Sequence, residues 1–402
     1  MAVVTTQFLC GSDRERRMTG VLNALYEQGA ELGWGDVHFE SQEDGSVIVR
    51  ARQDGVMIEV ERFQDHEATI LVNKFRYRAN LDVSDTRHEQ DGRFVQECHG
   101  RRIDVRLSIV PTIFGYSIVT RLLDSENSGM PIERLGMSRL VEQAFRDALQ
   151  QSEGLILTGG PTGSGKTTSL YAALNLLNTP DRKVMTAEEP VEYIQKGIQQ
   201  IPVGDGTGRT FASALRAMMR QNPNTILVGE IRDEETAQAA IRASLTGHLV
   251  LATIHANSAI ETLYRLEDLG VSPRLVANSV RLILGQRLLR RVCPACAEDH
   301  SVKDAELFHR WGIEPPETEK MGRGCGACHG TGYKGRQAIY EAFVMTRQMR
   351  GAINVGAGKN DLEEILKKQP QYRKLFASAC DLVAAGGTNT AEILKVLSDA
   401  ED

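Results

Sequence analysis

The stretch GLILTGGPTGSGKTTSLYAAL at residues 154–174 constrains the fold of this 402-residue chain more than any other. An apolar run leads directly into a glycine-rich turn and then into a helical pattern, which is the strand–loop–helix order of the P-loop template. Glycines allow backbone N–H groups to turn inward around phosphate oxygens, so this stretch predicts a nucleotide site within an α/β fold. The predicted nucleotide-binding residues are Gly160, Pro161, Thr162, Gly163, Ser164, Gly165, Lys166, Thr167 and Thr168.

Two side chains of this loop carry specific chemistry. Lys166 is expected to place its charge on the β- and γ-phosphates, and Thr167 is expected to offer its hydroxyl to Mg²⁺. A chance match to the bare glycine pattern is the alternative, but the flanking strand and helix patterns argue against it. A nucleotide and Mg²⁺ are therefore the predicted ligands.

The pattern of strands and helices divides the chain into regions. Alternating runs joined at Asp54-Gly55 predict a β-hairpin in an α+β domain. Further along, short apolar strands alternate with helical patterns, which is typical of a mainly parallel sheet covered by helices. The predicted regions are an α+β domain at 1–124, a linker at 125–134, an α/β core at 135–290, a cysteine motif at 291–335 and a helical region at 336–402.

Composition and charge exclude several classes of protein. An apolar content of 41% supports two or three packed domains rather than a disordered chain. The net charge of −6 gives no global basic field, so nucleic acid is not an expected partner. No window approaches about 18 uninterrupted apolar residues, and the first residues lack a basic leader with an apolar run. We therefore expect a cytoplasmic protein whose membrane role is peripheral.

Four of the seven cysteines are paired in spacing. Cys293 and Cys296 form one Cys-x-x-Cys pair, Cys325 and Cys328 form another, and 28 residues separate the two pairs. This spacing predicts a tetrahedral Zn²⁺ site of four thiolates across an inserted hairpin or helix, and glycines beside the second pair let the backbone turn around a metal. Two coincidental pairs or a redox motif are the alternative, and His329 could replace one thiolate.

Acidic residues and a histidine follow the predicted strands after the loop. Glu230 in NTILVGEIRD stands where a P-loop protein places the carboxylate that organises Mg²⁺ and its water. Glu188, Glu189 and Glu192 cluster in TAEEPVEY, where they repel one another unless a cation compensates them, so they are candidates for activating water. His255 follows the strand LVLATI and is placed to contact the γ-phosphate. A surface glutamate at a strand end and a structural histidine are the alternative interpretations.

The order of these motifs resembles the secretion ATPase superfamily, the motors of type II secretion and type IV pilus assembly. The resemblance extends over about residues 35–397 and rests on GPTGSGKTTSLY, EEPVEY, ILVGEIRDEETAQAAIRASLTGHLVLATIHANSA, GQRLLRRVCPAC, CGACHGTGYKGRQAIYE and GGTNTAEILKVL. In that family these segments are the Walker A loop, the Asp box, the Walker B motif with the His box, a tetracysteine zinc motif and a C-terminal helical segment. The implied fold is a RecA-like P-loop motor domain, preceded by a PAS-like α+β domain and followed by a tetracysteine zinc and helical region.

The resemblance also implies roles for individual residues. Glu192 is then the general base of ATP hydrolysis, Glu230 holds the water shell of Mg²⁺, and His255 reads the γ-phosphate. Arginines of the PAS-like domain in such motors approach the phosphates when the domains close. The matching residues here are Arg93, Arg106 and Arg121. The implied assembly is a homo-hexamer that presses on an integral platform protein at the inner face of the cell membrane.

Three features depart from the family pattern, one of which is Tyr116-Ser117 after Gly115, where the family often has Glu-Lys. The Asp box commonly reads Glu-Asp-Pro, whereas this chain has Glu188-Glu189-Pro190. The PAS-like stretch begins within about 35 residues of Met1, so we expect no extra N-terminal docking domain of the kind that many relatives carry.

Three other functions remain open at this level. A pilus retraction motor shares the fold but typically lacks the tetracysteine motif. A conjugation-type DNA-transfer ATPase would respond to single-stranded DNA, which the acidic net charge disfavours. A non-catalytic ATP-binding scaffold would lack turnover, and the joint presence of Lys166, Glu192 and Glu230 argues against it. The predicted function is therefore an assembly motor.

Overall fold

The structure is a computed structural model that describes residues 11–124, 129–302 and 305–397. Residues 125–128, the first part of the predicted linker, lie outside this description. Two compact units make up the chain, and the division between them falls at residues 126 and 127. Within the described ranges no helix combines the length and the apolar character needed to cross a bilayer.

The first unit is a six-stranded antiparallel sheet with helices on one face. Its elements are α1 (Gly11–Leu32), β1 (Trp34–Ser41), β2 (Val47–Gln53), β3 (Val56–Phe63), α2 (Asp65–Arg78), β4 (Gln90–Cys98), β5 (Arg101–Thr112) and β6 (Gly115–Asp124). The strand order is β3-β2-β1-β6-β5-β4. The predicted mixture of helices and antiparallel strands in this part of the chain is confirmed.

The predicted hairpin is the turn between β2 and β3. Gln53 pairs with Val56, and the two residues between them, Asp54 and Gly55, have φ of 48° and 82°. Positive φ at both positions is the type I′ turn that an Asp-Gly pair favours. Apolar residues alternate along the strands and pack one face of the sheet against α1 and α2, which leaves the polar side chains on the other face.

The second unit holds the glycine-rich loop and the four paired cysteines. Its elements are α3 (Arg139–Leu149), β7 (Gly154–Gly159), α4 (Lys166–Leu177), β8 (Val184–Glu188), β9 (Gln199–Pro202), α5 (Phe211–Met219), β10 (Thr225–Val228), α6 (Glu234–Leu245), β11 (Leu249–Ile254), α7 (Ala259–Asp268), α8 (Pro273–Ser279), β12 (Val280–Val292), β13 (Ala297–Ser301), α9 (Ala305–Arg310), β14 (Thr318–Gly322), β15 (Tyr333–Val344), α10 (Arg347–Asn354), α11 (Lys359–Leu366), α12 (Leu375–Ala384) and α13 (Thr390–Leu397).

A seven-stranded sheet in the order β15-β12-β7-β11-β10-β8-β9 forms the centre of this unit. All neighbouring strands are parallel except β12 and β15. Every residue of β7, β8, β10 and β11 is buried, because helices cover both faces and form two apolar clusters. The predicted mainly parallel sheet is confirmed.

The sheet extends beyond the predicted core limit of residue 290. β12 continues to Val292 and pairs with β15, which follows it only after about forty residues that hold the cysteine motif, β13, β14 and α9. The separation of the cysteine pairs is therefore filled by an inserted hairpin and a helix. Strand pairing across so long an insertion is a non-local contact, which local sequence patterns do not report.

Candidate active site and metal centre

The glycine-rich loop joins β7 to α4 at the edge of the sheet where the parallel strands end. Gly163 and Gly165 have φ of 78° and 87°, a conformation that residues with side chains rarely adopt. A Cβ atom at Gly165 would lie 2.8 Å from Nε2 of Gln286, and one at Gly160 would lie 2.7 Å from the Gln286 carbonyl oxygen. Glycine is therefore required where the loop packs against β12.

Lys166 begins α4 and is buried. Its Nζ donates hydrogen bonds to the carbonyl oxygens of Gly160 at 2.7 Å and Pro161 at 2.9 Å. Burial lowers the pKa of Lys166 to about 8, an effect that the charge of Glu230 opposes. The ammonium group thus rests on neutral carbonyl dipoles, which the fully charged oxygens of a phosphate group can replace.

The remainder of the loop fits an anionic ligand. The Ser164 hydroxyl is buried and has no hydrogen-bond partner among the described residues. Thr167 is exposed and Thr168 is half-buried in the first turn of α4. A cavity of about 460 Å³ beside the loop is lined by Pro161 and His255, among others. A buried hydroxyl without a partner, in a loop that leads into a helix N-terminus, is suited to a phosphate group.

Parallel strands that end at this edge bring acidic residues and a histidine to the loop. Glu230 follows β10, His255 follows β11 and Glu189 follows β8. The Oε1 atom of Glu230 lies 2.7 Å from Nε2 of His255. Burial and the charge of Lys166 lower the pKa of His255. The structure therefore groups the loop with the acid and the histidine that the motifs predicted.

Arg232 is a residue of this site that the motifs did not predict. Its Nε donates to Oε2 of Glu230 at 2.7 Å, and its Nη1 donates to Oε2 of Glu189 at 2.6 Å. The hydrogen bond to Glu230 raises the pKa of Arg232 above the ordinary arginine value. Its position two residues after Glu230 was the available signal, because alternate residues of an extended chain project to the same side. For Glu189, the compensating cation is therefore an arginine.

Glu188 occupies an interior position, unlike the neighbouring Glu189. It is buried at the end of β8 and accepts hydrogen bonds from Thr186 Oγ1 at 2.5 Å, from Gln200 Nε2 at 3.1 Å and from the Tyr171 hydroxyl. Burial, together with the adjacent Glu188 carboxylate, raises the pKa of Tyr171, so the phenol remains a donor. Protein donors occupy both oxygens of Glu188.

Glu192 lies half-buried in the loop that follows β8. It is close enough to Tyr171 of α4 that its carboxylate contributes to the raised pKa of the phenol. Gln200 holds this loop, because its amide donates to the Tyr193 carbonyl oxygen at 2.9 Å and its Oε1 accepts from the Gln195 N–H at 2.7 Å. The Tyr193 ring meets the Tyr171 ring edge-on with 5.9 Å between centroids. The loop that carries Glu192 is thus attached to the helix that follows the glycine-rich loop.

The three predicted arginines form one row across the sheet of the first unit. Arg93 on β4 lies opposite Arg106 on β5, which lies opposite Arg121 on β6. Arg121 donates from Nε to Oδ1 of Asp36 on β1 at 2.8 Å, and Arg52 on β2 approaches the same carboxylate. A cavity of about 480 Å³ is lined by the three predicted residues, among others. The row concentrates positive charge on the sheet face that α1 and α2 leave uncovered.

The two cysteine pairs meet and form a four-sulfur cluster of Cys293, Cys296, Cys325 and Cys328. Their Sγ atoms all lie within 4.8 Å of one another, with three separations of 3.8 to 3.9 Å. A tetrahedron with Zn–S bonds of about 2.3 Å has edges of about 3.8 Å, so the cluster fits Zn²⁺. Burial opposes ionisation of Cys328, but N–H groups of Cys325 and Gly332, together with the thiols of Cys325 and Cys296, lower its pKa to about 6. The exposed His329 is not a member of the cluster.

The cysteine cluster is fastened to the last described helix, α13. Glu392 on α13 is buried and accepts hydrogen bonds from Nε and Nη2 of Arg290, at 2.8 and 2.5 Å. Asn389, just before α13, donates to the Tyr333 hydroxyl at 2.9 Å, and the Arg290 guanidinium lies 3.9 Å from the centre of the Tyr333 ring. Because Arg290 precedes the first cysteine pair and Tyr333 follows the second, one end of the motif contacts α13 and the other contacts the residue just before it.

Comparison with known proteins agrees with this geometry. A sequence model of the family described as "Type II/IV secretion system protein" matches residues 13–395. The type II secretion system protein E of Klebsiella pneumoniae is 38% identical over 391 residues, which cover 97% of this chain and 78% of that protein. The type II secretion system ATPase E of Vibrio cholerae serotype O1 is 36% identical over 395 residues, with 98% and 78% covered. The Legionella pneumophila ATPase DotB resembles the structure in fold, with a TM-score of 0.69 at 19% identity over 93% of this chain and 94% of its own.

Proposed function

Because the chain belongs to the type II/IV secretion system protein family and is a secretion ATPase, we propose that it is a hexameric motor that powers assembly of a type II secretion pseudopilus or a type IV pilus. The proposal is supported above all by the convergence of Lys166, Glu230 and His255 beside the glycine-rich loop. The relatives named above are type II secretion proteins, which favours assembly over pilus retraction or DNA transfer.

The residues around the loop provide what phosphoryl transfer to water requires. ATP with Mg²⁺ supplies the phosphoryl group and the divalent charge. Lys166 exchanges the carbonyl oxygens of its own loop for phosphate oxygens, and Thr167 offers its hydroxyl to the metal. Glu230 would orient the water around the metal, and the buried Ser164 hydroxyl would gain the partner that it lacks among the described residues.

Proton transfer and charge stabilisation fall to other residues of the chain. Glu192 removes the proton of the attacking water, and Glu188 positions the Glu192 loop through Tyr171 and Gln200 rather than contacting the nucleotide. His255 turns from Glu230 toward the γ-phosphate. We also propose, as the family resemblance implies, that the arginine row of the first unit serves the phosphates in the assembled motor.

The cysteine cluster has a structural function in this proposal. The residues that would hold Zn²⁺ are Cys293, Cys296, Cys325 and Cys328. Four thiolates leave no open coordination position for a substrate, so the metal stabilises the fold rather than taking part in hydrolysis. Arg290 and Glu392 then pass this rigidity to α13.

We place the working motor at the inner face of the cell membrane. Six copies would form a ring that binds an integral platform protein, as the family resemblance implies. Bound nucleotide favours one arrangement of the chain, and its hydrolysis removes that preference. Each turnover therefore drives a movement. The ring, the platform partner and the peripheral location are parts of the proposal.

The test is Mg²⁺-dependent ATP hydrolysis by the zinc-loaded protein, with the oligomeric state measured on the same sample. Glu192→Gln should retain ATP binding and lose about 10²- to 10⁴-fold in turnover, the usual contribution of a general base. Glu364→Gln, an exposed glutamate on α11, is the matched control and should hydrolyse ATP like the parent protein.

Two outcomes would contradict parts of the proposal. Equal turnover of Glu192→Gln and Glu364→Gln would remove the general base assignment. A confirmed hexamer of the unchanged protein that binds ATP without hydrolysing it would instead support an ATP-binding scaffold.

A further inference from the structure

One guanidinium group joins two of the strand ends at the proposed nucleotide site. Arg232 bonds to Oε2 of Glu230 and to Oε2 of Glu189. We infer that Arg232 is a positioning residue that keeps the Oε2 atom of Glu230 bound, so that Oε1 alone is released toward the Mg²⁺ water shell during turnover. This inference rests on the proposed function of the site.

The geometry of the two bonds suits an arginine and not a lysine. Glu230 and Glu189 follow the adjacent parallel strands β10 and β8, and each accepts from a different nitrogen of Arg232, at 2.7 and 2.6 Å. A guanidinium group presents its donors in a fixed planar fork, whereas an ammonium group is a single point charge on a flexible stem. The Arg232 guanidinium also lies 5.9 Å from the centre of the Phe211 ring, which limits its orientation further.

The second anchor of the fork, Glu189, is itself restricted in position. It follows β8 directly, and a Cβ atom at Gly204 would lie only 2.5 Å from its Oε1 atom. The Glu189 side chain therefore packs against the backbone at Gly204 and presents Oε2 to Arg232.

The two contacts on Glu230 differ in how they are held. Oε2 is bound by Arg232, which has a second carboxylate anchor, whereas Oε1 is bound by His255 at 2.7 Å. His255 is half exposed and follows the end of β11, next to the cavity beside the loop. When His255 turns toward a phosphate group, Oε1 becomes available and Oε2 stays in place. A carboxylate without the Arg232 bond would rotate and present either oxygen.

The experiment measures the Mg²⁺ dependence of Arg232→Lys in the full chain. Initial rates of ATP hydrolysis and binding of a fluorescent ATP analogue are recorded over a series of Mg²⁺ concentrations at saturating nucleotide. The Mg²⁺ concentration for half-maximal effect should rise about 10- to 100-fold, the typical result of losing a residue that orients a metal-shell carboxylate. KM for ATP at saturating Mg²⁺ should stay near the parent value. Glu189→Gln should shift the Mg²⁺ dependence in the same direction.

Arg216→Lys is the matched control. Arg216 is an exposed arginine that donates to one carboxylate, Glu235, at 2.6 Å. This variant should keep the parent Mg²⁺ dependence and thermal midpoint. If Arg232→Lys also keeps the parent Mg²⁺ dependence, or shifts it no more than Arg216→Lys, the inference is overturned.

Failure of the inference and failure of the proposed function give different results. Parent protein that hydrolyses ATP beside an unchanged Arg232→Lys variant overturns the inference alone. Parent protein without turnover contradicts the proposed motor, and the binding series then still tests Arg232. A loss of activity in Arg232→Lys that comes with a lowered thermal midpoint and an unchanged Mg²⁺ dependence indicates a role in folding and also overturns the inference.

Discussion

The proposed nucleotide site and the cysteine cluster lie in the same unit but hold their functional groups in opposite ways. At the sheet edge, Glu189, Arg232, Glu230 and His255 bond to one another, and the side chains of Arg232 and His255 are 53% and 47% exposed. In the cluster, three of the four sulfur-bearing residues are buried, and backbone N–H groups contact the Cys328 sulfur. The site at the sheet edge consists of partly exposed ion pairs that can change partners, whereas the cysteine cluster is buried and held by backbone hydrogen bonds.

This difference indicates how each site responds to change. Exposed ion pairs contribute about 0 to 1 kcal/mol each, so the nucleotide site can exchange partners when a ligand enters. A tetrathiolate site gains its stability when the metal binds and offers no position for exchange. We therefore expect changes at the sheet edge to alter turnover more than folding, and changes in the cluster to alter folding more than turnover.

The largest effect is expected from Lys166→Ala. Turnover should fall about 10³-fold or more, because the positive charge at the phosphates is lost. The thermal midpoint should move by less than about 2 °C, since the buried ammonium rests on carbonyl oxygens of its own loop and burial already disfavours its charge. ATP hydrolysis and thermal unfolding are measured together, with Lys368→Ala, an exposed lysine two residues after α11, as the control. A large fall in the thermal midpoint would show that Lys166 contributes to folding as strongly as the residues of the cysteine cluster.

A smaller effect, on stability rather than on turnover, is expected from Cys328→Ser. The change removes one thiolate and the sulfur that accepts from the N–H groups of Cys325 and Gly332. Bound zinc should fall from about one per chain to near zero, and the thermal midpoint should fall by roughly 6 to 12 °C, as a loss of about 3 kcal/mol would produce in a unit of this size. Turnover of the folded fraction should decline far less than in Lys166→Ala.

Zinc content, thermal unfolding and ATP hydrolysis check this prediction on one preparation. Cys380→Ala is the control, because Cys380 is buried in α12 outside the cluster and its loss should leave the zinc content unchanged. A Cys328→Ser protein that retains the parent midpoint without zinc would show that the cluster is not the stabilising element. Loss of turnover at full stability would instead place the cluster in the catalytic cycle.

The same contrast explains which features could be predicted from sequence. The glycine-rich loop, the paired cysteines and the acid at Glu230 are contiguous motifs or short spacings, so their chemistry can be read without a structure. The strand exits of Glu230 and His255 were predictable too, because parallel strands of one sheet end at a common edge. The family comparison confirms the secretion ATPase identity that these motifs implied.

Other features depend on pairing between distant parts of the chain. Gln286 reaches the glycine-rich loop only because β12 lies beside β7, and the contact of Arg232 with Glu189 depends on the pairing of β10 with β8. The alignment of the arginine row needs the register of three strands, where a shift of one residue would turn each side chain to the opposite face. Glu188 and Glu189 are adjacent residues of the same type, and only their burial and their hydrogen-bond partners distinguish their roles.

The smallest expected effect comes from Tyr171→Phe, which tests the buried hydrogen bond between Tyr171 and Glu188 beside the proposed nucleotide site. Tyr171 is buried and donates to Glu188, and its ring contacts Tyr193 in the loop of Glu192. Removing the hydroxyl leaves a buried carboxylate oxygen of Glu188 with fewer donors. This loss costs about 1 kcal/mol of interaction free energy. Turnover should fall about fivefold if all of that loss reaches the position of Glu192, and KM for ATP should change less.

Kinetics and thermal unfolding of Tyr171→Phe are compared with Tyr77→Phe, which removes a hydroxyl from an exposed tyrosine on α2. The control should match the parent protein in both measurements. A Tyr171→Phe variant that loses stability but keeps its turnover would show that the Glu192 loop is held independently of this network. In that case the buried carboxylate of Glu188 stabilises the fold, as the cysteine cluster does. Only the exposed groups at the sheet edge then determine the rate of hydrolysis.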